Sequence, residues 1–306
     1  MPAEAIHFSA LSDSGDHLVP AAAQLLRTAA LRQASRLGAV FVDLPYFDRL
    51  KYSVIRYLFH RPPVPSTWGN IFHRRAPAAL GRGLAEKGFA LLQSGDTRPE
   101  GEWLVAFALG YVSHMAVDRS LHPLVNRLAA ERAAALDDSP DHQHYEVEKY
   151  QSVLFHEERF GRDLMGTQEM RPYLEVDTRP ISKSGMIARI LQETIQEATG
   201  QSPGVALVAR WSEGYHAYCD ILTSFLAKRI VTNAAKAIER NALYDAVRFP
   251  VRFQRAVDSS AAYMNALYAH GAQSKFDETS RDVLAQSIPE GTLDPEPEVL
   301  EATPST

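Results

Sequence analysis

Apolar residues recur along most of this chain at the i, i+3, i+4, i+7 spacing of helices, and no stretch alternates polar and apolar positions for long enough to make a strand. The pattern predicts an all-α protein. A first helix is expected over 16–37, with Pro20 tolerated in its opening turn and Gly38 ending it. A second, over 45–59, runs into the breaker-rich segment HRPPVPSTWGN, and two more, over 76–94 and 101–121, flank SGDTRPEGE. Pro123 is expected to break the chain's most apolar helix, which resumes as far as Leu136 before DDSPD caps a helix over 141–160. Further helices are expected over 182–199, 204–236, 236–248 and 250–270, with Gly214 as a kink point in the longest. From Phe276 the periodicity gives way to DETSRDVLAQSIPEGTLDPEPEVLEATPST, acidic and rich in Pro, Thr and Ser. The expectation is one helical domain over 1–275 and a disordered tail over 276–306.

Composition narrows the function classes rather than the fold. With 45% hydrophobic and 23% charged residues in 306, the chain has ordinary globular usage. A formal charge of -5 gives no global reason to bind nucleic acid. One cysteine, Cys219, rules out an internal disulfide framework and any thiolate-built zinc cluster, so a metal would have to sit on imidazole and carboxylate. The start MPAEAIHFSALSDSGDH lacks the basic and apolar regions of a secretory signal, and no run of 18 apolar residues occurs; a cytoplasmic protein is expected. Neither a G-x-S-x-G elbow nor a phosphate-binding Gly-rich loop is present.

The candidate chemistry starts at GYVSHMAVDRSLHPLVN, where His114, Asp118 and His122 stand four residues apart. Residues at that spacing are neighbours on a helix, and His122 drifts only about 80° from His114 around the axis. The surrounding WLVAFALGYVSHMAVDRSLHPLV is strongly apolar, and a carboxylate buried there needs compensation. In DHQHYEVEKY, His142 with Glu146 and His144 with Glu148 repeat the spacing, but the two pairs lie about 200° apart, so only one can face a given pocket. Asp43 in RLGAVFVDLPYF, His73 in GNIFHRRAPAAL, and His17 in GDHLVPAAA extend the set, with His7 as the alternative to His17. His60, His156, His216 and His270 take a structural reading, His156 as an exposed residue among charges. Zinc is the natural occupant of an imidazole and carboxylate site without cysteine.

Together LGAVFVDLPYF, IFHRRAP, ALGYVSHMAVDRSLHP and HQHYEVEKY resemble the zinc-dependent phospholipase C family, over about residues 15–155. The resemblance implies an all-α fold of the phospholipase C and single-strand nuclease type, with clustered zinc that cleaves phosphodiesters. Carried over by position, it puts Asp43, His73, His114 and Asp118 on one zinc, with Asp118 bridging, and His122, His142 and Glu146 on a second. It thereby selects the 142/146 pair over 144/148. The family's third zinc uses an N-terminal Trp amine and a histidine; here Met1-Pro2 departs from that pattern, and His17 or His7 is the histidine available. Tyr150 stands where an Asp follows the Glu in the family. The resemblance makes Asp43 a ligand and a candidate base, and a phosphate ester, including phospholipid, the substrate.

Two other functions share these residues. A nuclease-like phosphodiesterase is disfavoured by the missing Trp, and no nucleic-acid partner is expected. A helical binding module holding structural metal would close each zinc's ligand shell without water. For contact with a bilayer, RFPVRFQRAV is the candidate peripheral surface, although its Arg residues fit a snorkelling face over the core better.

Overall fold

The computed structural model describes residues 4–58, 66–162, 164–225, 227, 244–273 and 276–297. Among them the secondary structure is entirely helical. The order is α1 (Glu4–Ser14), α2 (Pro20–Leu25), α3 (Ala29–Phe41), α4 (Leu50–Leu58), α5 (Thr67–Arg74), α6 (Pro77–Gln93), α7 (Arg98–Leu136) and α8 (Pro140–Phe160), then the short turns α9 (Arg171–Leu174) and α10 (Arg179–Ser182). Completing it are α11 (Met186–Thr199), α12 (Val205–Leu222), α13 (Arg248–Gly271) and α14 (Glu278–Ser287).

Helix α7 is the spine. It runs 39 residues, and every position from Leu104 to Asp118 is buried, because α3, α6, α8 and α13 pack around it. A helix enclosed on all sides can be apolar all round, which explains the sequence's most hydrophobic stretch. Two apolar clusters meet along it. One gathers Phe41, Phe72, Phe107 and Trp211; the other gathers Ile6, Val117, Leu121, Tyr150 and Phe249. The histidine-bearing edge of α7 lies where they join.

Pro123 does not break α7. An internal proline costs about 3 kcal/mol through its lost N–H and its clash with the preceding turn, and apolar burial of Leu121, Leu124, Val125 and Leu128 on both sides of it outweighs that cost. The helix ends instead at Asp137, in the left-handed region at φ 53°.

Helices α3 and α7 cross at backbone contact. A Cβ on Gly110 would lie 1.7 Å from the Ser35 carbonyl oxygen, and one on Gly38 would lie 2.0 Å from that of Phe107. Gly38 is thus a packing residue inside α3, not the helix end expected from the sequence. The expected 16–37 helix is divided: Thr28 caps α3 by accepting from the Leu31 amide at 3.3 Å. The expected 45–59 helix is divided too, with a tight turn over Leu44–Phe47 preceding α4. An unpredicted helix, α1, occupies the N-terminal region and is buried along nearly all its length.

Gly214 serves close packing rather than a kink, since a Cβ there would lie 2.1 Å from the Phe47 carbonyl oxygen. The expected 236–248 helix and the end of the 204–236 helix fall mostly outside the described residues, as do His60 and residues 298–306. Residues 276–297, expected as part of a disordered tail, carry α14 and bury Leu284, Ile288 and Leu293 against the domain. In RFPVRFQRAV, Phe249 is buried and Phe253 packs on the second apolar cluster, which leaves Val251 outward.

Candidate metal centre

Asp118 is the hub. Its side chain is 3% exposed, and both carboxylate oxygens face imidazoles. Oδ2 lies 2.9 Å from His114 Nε2 and 3.5 Å from His73 Nε2. Oδ1 lies 3.4 Å from His7 Nε2 and 3.7 Å from His122 Nε2.

Each neighbour is brought in by a different element. His114 and His122 share the α7 edge with Asp118. The close α3–α7 crossing lets His114 Nδ1 donate to the Ala39 carbonyl at 2.8 Å, which fixes the tautomer and aims Nε2 at Asp118. His73 sits in the last turn of α5, a helix capped by Ser66, whose Oγ accepts from the Gly69 amide at 3.1 Å. Its Nδ1 donates to the Gly69 carbonyl at 2.8 Å, again leaving Nε2 inward. Asp43 follows α3 and heads the Leu44–Phe47 turn, with Oδ1 3.4 Å from His73 Nε2. His7 comes from α1, and its ring stacks on His114 with centroids 4.2 Å apart.

Ligand atoms in three sets lie within 4.8 Å of one another: His7, His114 and Asp118; Asp43, His73 and His114; and His122, His144 and Glu148. The first two share His114. The third joins them through His122, whose Nε2 is 3.5 Å from Glu148 Oε1, while His144 Nε2 is 3.3 Å from the same oxygen. A small cleft lined by Ile6, His7, Asp118, His122, Glu148 and Gln151 runs beside the sets.

Five of the expected ligands, Asp43, His73, His114, Asp118 and His122, are therefore brought together, and three are placed elsewhere. His142 lies in the first turn of α8, where its Nδ1 pairs with Asp138 at 2.5 Å. Glu146 pairs with Lys149 Nζ at 2.5 Å. The α8 pair that faces His122 is instead His144 and Glu148, while Glu146 is buried beside Lys149 on another part of the helix. His17 lies exposed in the turn after α1, and His7 occupies the N-terminal position. His156 also differs from expectation: it is fully buried among aromatic rings, and desolvation lowers its pKa to about 4.

The electrostatics are those of a concentrated mixed-charge cluster. Burial opposes protonation of His114, but the carboxylates of Asp118 and Asp43 outweigh it and raise the imidazole to about 9. Burial likewise opposes charge on His122, yet Asp118 and Glu148 lift it to about 10. For His7 burial wins, reinforced by His114, and the pKa falls to about 4. Desolvation would raise the carboxyls of Asp118, Asp43 and Glu148, but the neighbouring imidazoles hold all three below the usual range.

A metal fits this donor set. His114 Nε2 and Asp118 Oδ2 are buried and 2.9 Å apart, yet neither has a hydrogen-bond partner of acceptable geometry among the described residues. Two buried ligand atoms this close without hydrogen-bond geometry between them can share a cation as their common partner. The donors are imidazole and carboxylate, which suit zinc. A model of the family described as zinc dependent phospholipase C matches residues 7–197, a span that includes every member of the three sets. Comparison with curated proteins and with solved structures finds no match.

Proposed function

The chain belongs to the zinc-dependent phospholipase C family, and from that premise we propose that it is a zinc-dependent hydrolase of phosphoric esters, cleaving phosphodiesters with phospholipids among its substrates. The observation that carries this reading is Asp118, a buried carboxylate facing the Nε2 atoms of four imidazoles from three helices.

Bound zinc supplies charge stabilisation for the phosphoryl oxygens and lowers the pKa of an attacking water towards neutrality. The chain's residues do the rest. His7, Asp43, His73, His114 and Asp118 would hold the first part of the cluster, and His122, His144 and Glu148 the second. Asp43 is the carboxylate of the first part that is only partly buried, so it is the group of that part placed to meet water at the rim of the cluster. The backbone carbonyls of Ala39 and Gly69 lock His114 and His73 in the Nδ1–H tautomer, which keeps each Nε2 lone pair directed inward.

No helix among the described residues is long and apolar enough to cross a membrane. The proposed enzyme is cytoplasmic and meets lipid by peripheral contact, and the net charge of -5 gives no reason to add a nucleic-acid partner. The test is hydrolysis of bis-p-nitrophenyl phosphate and of phosphatidylcholine vesicles by zinc-loaded protein, with Asp118→Asn as control. Zinc-dependent turnover lost in the variant is expected. Stoichiometric zinc without turnover on either substrate, or on a wider ester panel, would leave a structural metal and sink the catalytic reading.

A further inference from the structure

The segment after α14 returns to the metal centre as a strap. It lies outside the matched residues 7–197. Glu290 anchors it at the start of α6, where its carboxylate accepts from the amides of Ala79 at 2.6 Å and Ala78 at 3.2 Å. Arg119 on α7 donates to the Gly291 carbonyl at 3.2 Å. The Leu293 amide then donates to the carbonyl of His73 itself at 2.8 Å, and the Leu293 side chain is fully buried. These contacts deliver Asp294 to the outer side of the second ligand set.

There Asn126 donates from Nδ2 to Asp294 Oδ1 at 2.7 Å and to the Pro295 carbonyl at 2.8 Å. The amide oxygen of Asn126 accepts from His144 Nδ1 at 2.8 Å. Asp294 Oδ1 also stands 3.7 Å from His122 Nδ1, a buried nitrogen with no hydrogen-bond partner among the described residues. Both imidazoles of the His122, His144 and Glu148 set thus turn their Nδ1 sides towards one carboxylate, His122 across 3.7 Å and His144 through hydrogen bonds relayed by Asn126.

We propose that Asp294 is the positioning residue of this set: docking of the C-terminal strap orients His122 and His144, so that metal binding and strap docking reinforce each other. The inference rests on the reading of these residues as metal ligands. A metal-bound imidazole is a stronger Nδ1–H donor, and an outer carboxylate that accepts from it raises its basicity as a ligand. By reciprocity, whatever affinity the docked strap gives the metal, the bound metal returns to the docked strap.

The test uses the full chain and zinc alone, titrated against a competing chelator, with hydrogen exchange followed in the peptide containing Leu293. Asp294→Ala is expected to weaken one class of zinc sites by about 10- to 100-fold, the range for loss of an outer-shell partner, while the remaining zinc stays tight. Asp294→Glu should recover part of that loss. Zinc should slow exchange at Leu293 in the wild type and not in Asp294→Ala. Glu290→Ala, which loosens the strap at the start of α6 without touching Asp294, should weaken the same class by a smaller factor. If both alanine variants bind every zinc as the wild type does, and Leu293 exchanges equally with and without zinc, the proposal is overturned while the metal reading stands. A wild-type chain that binds no zinc would overturn both.

Discussion

At the scale of single residues, the centre sets two protonated imidazoles, those of His114 and His122, against ionised carboxylates. His114 and His122, raised to about 9 and about 10, carry protons at neutral pH in the metal-free protein. Their contribution to metal-free stability is fully present below the unfolded imidazole value near 6.5 and is lost as pH rises through 9 to 10. Zinc must displace those protons, so its affinity should rise over the same window. The gap in Tm between zinc-loaded and metal-free protein is therefore expected to widen from pH 6 to pH 9, and a gap constant across that range would contradict the assignment of these histidines as ligands. Asp118→Asn is expected to lose more zinc than any single histidine variant, because it weakens both oxygens that four imidazoles face. Elemental mass spectrometry of the purified variants checks the order. Asp43, His73, His114, Asp118 and His122 could be named from sequence because each stands in a distinctive local setting, the last three at i, i+4 spacing in an apolar helix. The choice between His142 with Glu146 and His144 with Glu148 could not, since both pairs have the same spacing and only tertiary packing sets the phase of α8.

At the scale of elements, the α3–α7 crossing does for the site what no single ligand does. Gly110 lies one turn before His114, and Gly38 adjoins Ala39, so the two glycines that permit backbone contact also set the distance for the His114–Ala39 hydrogen bond. Gly110→Ala would place its methyl group 1.7 Å from the Ser35 carbonyl oxygen. Helix spreading is expected to cost at least the ~1–3 kcal/mol typical of overpacking, and to release His114 from its fixed tautomer. Denaturant unfolding should show the destabilisation, and zinc titration should show weaker binding even where the variant remains folded. Wild-type zinc affinity in a destabilised Gly110→Ala would separate the crossing from the site. Helix periodicity located α6, α8 and α13 nearly to their ends, helped by Pro77 and Pro140 in the opening turns of the first two and by the Ser139 cap of α8. It failed at Pro123 and Gly38, where local breaker rules lose to burial on both sides of a central helix. It missed α1 because a short helix buried almost all round presents little amphipathic contrast.

At the scale of the whole molecule, the proposed ligands join parts of the chain that are far apart in sequence. His7 belongs to α1, Asp43 to the turn after α3, His73 to α5, His114, Asp118 and His122 to α7, and His144 and Glu148 to α8. Without a cation, imidazoles and carboxylates confined among apolar side chains must settle their charges with one another, and part of the packing energy is spent holding them there. A bound ion relieves that opposition and ties α1 to the spine at the same time. Zinc is therefore expected to act on the fold as a ligand of the native state, raising Tm with concentration and adding about 2.7 kcal/mol when free zinc reaches a hundred times its Kd. The gain should not be uniform. Helix α1 supplies a single side chain to the three sets, His7, whereas α7 supplies three and is packed by α3, α6, α8 and α13, so chelation should accelerate hydrogen exchange in the peptide containing His7 well before it reaches residues 104–112. Equal acceleration in both segments would mean that metal stabilises the domain as one cooperative block, and uniform indifference would mean that the ion carries no share of the fold.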